Sequence, residues 1–123
     1  MSDLYYSKKD IQSLDKSFRI NLINSITGVK PANLIATKSK DGVDNVAIFS
    51  SVVHMGSDPA LVGFFIRPQL MKATDTFKNI IDSNCYSINH ITSSFYKKAH
   101  LTSVKVVGSE FDLLDISKES LNN

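Results

Sequence analysis

Residues 41–51 read DGVDNVAIFSS. The stretch opens on Asp41-Gly42, a pair that favours a tight hairpin turn because glycine accepts a positive φ without steric cost. It then runs through small and apolar residues and closes on Ser50 and Ser51, where β-branched residues would suit a sheet better. Either these serines end the strand and bend the chain, or a polar group lies against them. Upstream, NLIATKS (33–39) reads as the partner strand, so segments 33–39 and 45–51 form a hairpin around KDGVD. Downstream, MGSDP (55–59) reads as a second turn, and ALVGFFI (60–66) as a third apolar strand ending at Arg67-Pro68.

On the N-terminal side, Ile11, Leu14, Phe18, Leu22, Ile23 and Ile26 recur at spacings of three and four, one face of a helix. Asp15 can cap its main part, Gly28 is a stop, and Pro31 enforces an extended entry into the first strand. TDTFKNIIDS (74–83) places Phe77, Ile80 and Ile81 at helical spacing, with Thr74 or Asp75 as cap. CYSINHI (85–91) reads as a fourth strand, SSFYKKAHL (93–101) as a short helix capped by Thr92 or Ser93, and EFDLLDI as helix or edge strand. Consecutive hairpin-linked strands favour an antiparallel sheet or barrel over a doubly wound parallel one. Four strands do not close a barrel, so an edge and a face of the sheet call for cover, from a partner chain or from further strands.

The 123 residues suit one soluble domain, 1–123, with a core of its own. Fourteen Lys and Arg against twelve Asp and Glu, spread along the chain, leave a net charge of +2 and no basic stripe for nucleic acid. The start, MSDLYYSKKD, is not a signal peptide, and no apolar run reaches membrane-spanning length. A single cysteine, Cys85, has no disulfide or zinc partner and points to a reducing cytoplasm. It opens a strand without nearby cations, which suits a buried, inert thiol.

Several chemistries drop out. No phosphate-binding glycine loop and no Gly-x-Ser-x-Gly elbow occurs. His54, His90 and His100 lack metal-ligand spacing, and the aspartates sit mostly in turns and caps. What remains is a hydroxyl- and amide-rich group: Thr37, Asn45, Ser50, Ser51, Thr74, Thr76 and Asn89, with Lys30, Arg67 and Lys72 as cations. Such groups hold an anion without a P-loop, and the TDT stretch at a helix start offers unpaired N–H groups and a favourable dipole. Capping alone also accounts for Thr74 and Asp75.

KPANLIAT, DGVDNVAIFSS, SDPALVGFFI, KATDTFKNI and CYSINHI, in that order, make the chain resemble the flavin reductase-like, FMN-binding split-barrel family. The resemblance spans about residues 18–115 and extends to GSEFDLL. Ile48 stands where the family commonly has proline, Lys30 where arginine is usual, and KATDT carries two extra residues between lysine and Asp-Thr. Family members generally continue through further strands, so the resemblance implies a mainly β, antiparallel split barrel with peripheral helices, incomplete at its C-terminus.

The resemblance further implies FMN, with FAD as the alternative, at the interface of a homodimer. Thr37, Asn45, Val46, Ala47, Ser50 and Ser51 would line the flavin. Ser51, Lys72, Thr74 and Thr76 would approach its phosphate, Arg67 more remotely, and Asn89 would be a neighbouring contact. NADH or NADPH would be the co-substrate, with oxygen, ferric iron or a partner protein as acceptor. No protein nucleophile is needed for such hydride chemistry, because the cofactor carries it. The alternative is a non-catalytic flavin-binding or dimerisation protein of the same fold. A pyridoxamine-phosphate-oxidase-like enzyme would call for a richer basic cluster.

Overall fold

A computed structural model describes residues 5–68 and 72–103. They fall into two compact units, divided between Lys30 and Pro31. The expected EFDLLDI element lies outside the described residues.

The N-terminal unit holds two helices, α1 (Lys8–Ser13) and α2 (Lys16–Ser25), where the apolar spacing predicts one from 11 to 26. The break is polar. Ser7 caps α1 through a reciprocal pair with Asp10, at 3.2 Å from the Asp10 amide and 2.8 Å from the Ser7 amide. Asp15 then starts α2, its carboxylate accepting from the Ser17 and Phe18 amides at 2.9 and 3.1 Å. This second start interrupts the run, and Arg19 donates to the carbonyls of Gln12 and Leu14 across the link. Gly28, with φ of 77°, follows the end of α2.

The C-terminal unit is built on β1 (Asn33–Lys38), the central strand of a sheet ordered β2–β1–β5, with β2 Asp44–Phe49 and β5 Ser87–His90. Both pairings are antiparallel, as the hairpin signals require. The β1–β2 hairpin closes at Asp41-Gly42, where Gly42 takes φ of 81°. Ser39 holds the loop through its backbone and hydroxyl bonds to Val43. β2 ends at Phe49, so Ser50 and Ser51 do end the strand and bend the chain.

Beyond the bend lies an element that the sequence reading passed over. β3 (Val52–Ser57) pairs with β4 (Ala60–Phe64) as a separate two-stranded sheet, joined through the cis Asp58-Pro59 bond. The register slips between His54 and Gly56, leaving Met55 outside the ladder. That bulge breaks the two-residue period, and Gly56 and Ser57 carry turn chemistry inside a strand. Ser51 fastens the ribbon's open end: its hydroxyl donates to the Phe65 carbonyl at 2.9 Å and accepts from the Phe65 amide at 3.2 Å. An edge-to-face chain joins the sheets, Phe49 to Phe64 at 5.0 Å and Phe64 to Tyr86 at 5.1 Å between ring centroids.

As the middle strand, β1 is buried on both faces. Leu34 and Ala36 pack with Val46 and with Ala99 of α4 (Tyr96–Leu101), flanked by Ile48, Ile91 and Phe95. No side chain caps α4, where Thr92 or Ser93 is the expected cap; Phe95 occupies that position. The opposite face carries Asn33, Ile35 and Thr37, beside their cross-strand neighbours Phe49, Ala47 and Asn45. Cys85 is exposed in the link before β5, not buried at a strand start as expected. Its place between two elements, outside the ladder, leaves it without cover. Among the described residues no helix is long and apolar enough to cross a membrane.

The Phe18 and Ser17 amides hold the Asp15 carboxyl below its ordinary value. Its capping contribution is therefore complete above the ordinary carboxylate range and is lost as pH falls through the lowered value. Asp15→Ala is expected to weaken the helical circular-dichroism signal at neutral pH. The difference from the parent chain should close only in strong acid.

Candidate flavin site

The first helix of the C-terminal unit, α3 (Asp75–Ser83), starts at Thr74, whose hydroxyl accepts from the Phe77 amide at 3.4 Å. The spacing of Phe77, Ile80 and Ile81 predicts an apolar buried face. Instead the buried residues are Thr76 and Asn79, while Ile81 is 62% exposed. Positions three apart share one helix face, and here that face is polar because the strands below it present polar side chains.

Those side chains are Thr37 of β1 and Asn45 of β2, opposite each other in the register. The Asn45 amide nitrogen donates to Thr37 Oγ1 at 3.0 Å and to Thr76 Oγ1 at 3.1 Å. The Asn79 amide nitrogen donates to the same Thr37 oxygen at 3.1 Å. Thr37, Thr76 and Asn79 are all buried. Two strands and a helix thus meet at one threonine hydroxyl, in a setting where each bond avoids the cost of an unpaired polar group. At the far end of the helix, Asp82 pairs with Lys40 of the hairpin loop at 3.1 Å, an exposed contact that contributes little.

The sequence-predicted residues separate into groups. Thr37, Asn45 and Thr76 come together, and Thr74 stands at the start of the same helix. Ala47 follows Asn45 on the same face of β2, half-buried opposite Ile35. The Val46 side chain points the other way, into the Leu34–Ala99 core, which leaves its backbone for any ligand contact. Ser50 is exposed at the bend, and Ser51 is engaged with Phe65. Lys72 and Arg67 are exposed. Asn89 lies on β5, across β1 from β2, and donates to the Leu34 carbonyl and to Ser87. Asn79 is the member that the residue-level reading missed. Its signal is present in the sequence, three positions after Thr76 and so on the same helix face.

β2 is an edge strand among the described residues, so one row of its backbone N–H and C=O groups faces away from β1. Separate from this polar end, a groove of about 400 Å³ lies between the sheets, lined by Ile88 and His90 on one side and by Val52, Val53, His54 and Val62 on the other, with Pro31. None of the predicted flavin residues lines it. His54 there pairs its Nε2 with Ser57 Oγ at 3.1 Å.

Comparison with known proteins places this geometry in a class. The flavin reductase like domain matches residues 29–120, three quarters of the sequence, and the chain belongs to that family. A candidate flavin reductase with a split-barrel domain from Shewanella frigidimarina NCIMB 400 is 39% identical, with a TM-score of 0.87 over 98% of this chain and 60% of that one. Nitrilotriacetate monooxygenase component B from Bacillus cereus shares the fold at 17% identity, TM-score 0.80, over 95% of this chain and 57% of that one. So does Pseudomonas fluorescens 2-nitrobenzoate 2-nitroreductase, at 22% identity and TM-score 0.75, over 93% and 53% of the two chains. The chain thus has the antiparallel split-barrel fold and spans 53–60% of the length of these structures. No curated protein gives a significant match.

Thr76→Val is expected to destabilise the protein by about 1–3 kcal/mol, because a donor of Asn45 loses its acceptor. Thr76→Ser should recover most of that. Urea unfolding of both variants checks the pair.

Proposed function

We propose that the chain binds FMN at the end of the sheet where β1, β2 and the first turn of α3 meet, and serves as a flavin reductase-like oxidoreductase using NADH or NADPH. The family supports a flavin-related oxidoreductase activity. The observation that carries the location is the bond from Asn45 to Thr76, which brings the start of β2 and the first turn of α3 together.

The donor set fits the cofactor. The isoalloxazine ring presents carbonyls and ring nitrogens, and an edge strand offers backbone N–H groups at sheet spacing. Small Ala47 leaves room beside that edge, and Asn45 adds a side-chain amide. The start of α3, with the Thr74 hydroxyl and with Lys72 nearby in sequence, supplies phosphate chemistry. When bound, FMN supplies the capacity to take a hydride from a nicotinamide and pass electrons on. The residues of the chain hold and orient it, and their fixed dipoles favour negative charge on the ring. Micromolar binding requires about 8 kcal/mol, within reach of several polar contacts at roughly 0.5–1.5 kcal/mol each together with ring burial.

The open edge of the sheet and the exposed apolar side chains of the β3–β4 ribbon, Met55, Leu61 and Val62 among them, support a homodimer as the working unit. The related proteins differ in role, a monooxygenase component and a nitroreductase among them. Oxygen, ferric iron and a partner protein are accordingly all candidate acceptors. A second reading, flavin binding without turnover, fits a chain spanning only part of the related structures' length.

Titration with FMN should shift the flavin absorbance bands and quench its fluorescence. Anaerobic addition of NADH or NADPH to the complex should bleach the visible flavin band faster than in free FMN. No spectral change on titration would overturn the proposal; binding without accelerated bleaching would leave the non-catalytic reading.

A further inference from the structure

Among the described residues, Asn33 alone has a buried side-chain oxygen or nitrogen without a hydrogen-bond partner. The residue is wholly buried. Its amide nitrogen donates to the Pro31 carbonyl at 3.3 Å, and its Oδ1 is the orphan. Turning the amide over would set that oxygen against the Pro31 carbonyl, acceptor against acceptor. A buried carbonyl without a donor is costly, and a fold that keeps one calls for a donor from outside the chain.

The place of Asn33 says where that donor enters. Residues directly opposite in an antiparallel pair share a face. Asn33 stands opposite His90, and Ile35 opposite Ile88. Ile88 and His90 form one wall of the groove between the sheets, with Val52, His54 and Val62 across it. The orphan carbonyl thus belongs to the groove's face of β1. It lies between two lining residues: Pro31, its hydrogen-bond partner, and His90, its exposed cross-strand neighbour. Among the described residues lining the groove there is no carboxylate, lysine or arginine. A charged ligand would lose its hydration there without an opposite charge to meet. About 400 Å³ is room for one or two rings.

We propose that this groove is a binding site, separate from the flavin site, for a neutral aromatic molecule of the phenol class. The ring lies between the apolar walls, and the hydroxyl donates to Asn33 Oδ1 as the exposed His90 side chain turns aside. An aromatic ether has the same ring and no donor, and leaves the carbonyl unpaired.

The test titrates the full chain with 2-naphthol and with 2-methoxynaphthalene, read by their fluorescence. The parent chain should bind 2-naphthol at least about fivefold more tightly than the ether. Asn33→Leu, close in size, should bring that ratio near one, chiefly by weakening 2-naphthol. A preference due only to the bulk of the methyl group would persist in that variant. Val62→Trp, which fills the groove from a half-exposed position, should weaken both probes. Neither probe should displace FMN. Thermal melts establish that each variant is folded; if Asn33→Leu is not, the parent ratio and Val62→Trp decide. Equal binding of the two probes to the parent chain, a ratio unchanged in Asn33→Leu, full-strength binding to Val62→Trp, or displacement of FMN would each overturn the proposal.

Discussion

A single threonine oxygen governs the arrangement of the C-terminal unit. Thr37 Oγ1 receives one amide from the neighbouring strand and another from the helix that follows the second sheet. Asn79 and Thr37 are far apart in sequence, yet both are almost wholly buried, and neither has an apolar alternative at that spot. Loss of the bond would leave a desolvated amide under α3, a cost comparable with a sizeable part of a small domain's net stability. The orientation of α3 follows from it. A helix seated by its apolar residues would bury Ile81 and expose Asn79; the observed helix does the reverse.

The same constraint explains what could be read in advance. The Asp41-Gly42 turn, four of the five strands described and the Thr74 cap are each written locally, in φ preference, alternation or a hydroxyl before a helix. So is the ordered set of short motifs that marks the family. β3 was not legible, because its bulge at Met55 destroys the alternation that signals a strand. The face of α3 was not legible either, because hydrophobic spacing is a sound guide only where the partner surface is apolar. Of the candidate site, Thr37, Asn45 and Thr76 were identifiable as residues. Their mutual bonding, and the part played by Asn79, depend on long-range pairing that no local pattern encodes.

The two sheets are tied by different means at different places. One link is aromatic, with Phe49, Phe64 and Tyr86 meeting edge to face, each such pair contributing about 0.5–1.5 kcal/mol beyond its burial. Toward the Lys38 end the sheet is closed by the polar bonds to α3. Ser51 belongs to the first system: it fastens the start of the ribbon to Phe65. The aromatic contacts join the two sheets, and the polar contacts seat α3 on one of them.

The exposed margin of β2 has a cost for the uncomplexed chain. A strand paired on one side only, as β2 is among the described residues, is a template on which another chain's strand can add. A ring system or a subunit seated along that margin would shield it. Occupancy of the proposed site would then govern colloidal behaviour as well as chemistry, with the empty protein the more prone to precipitate.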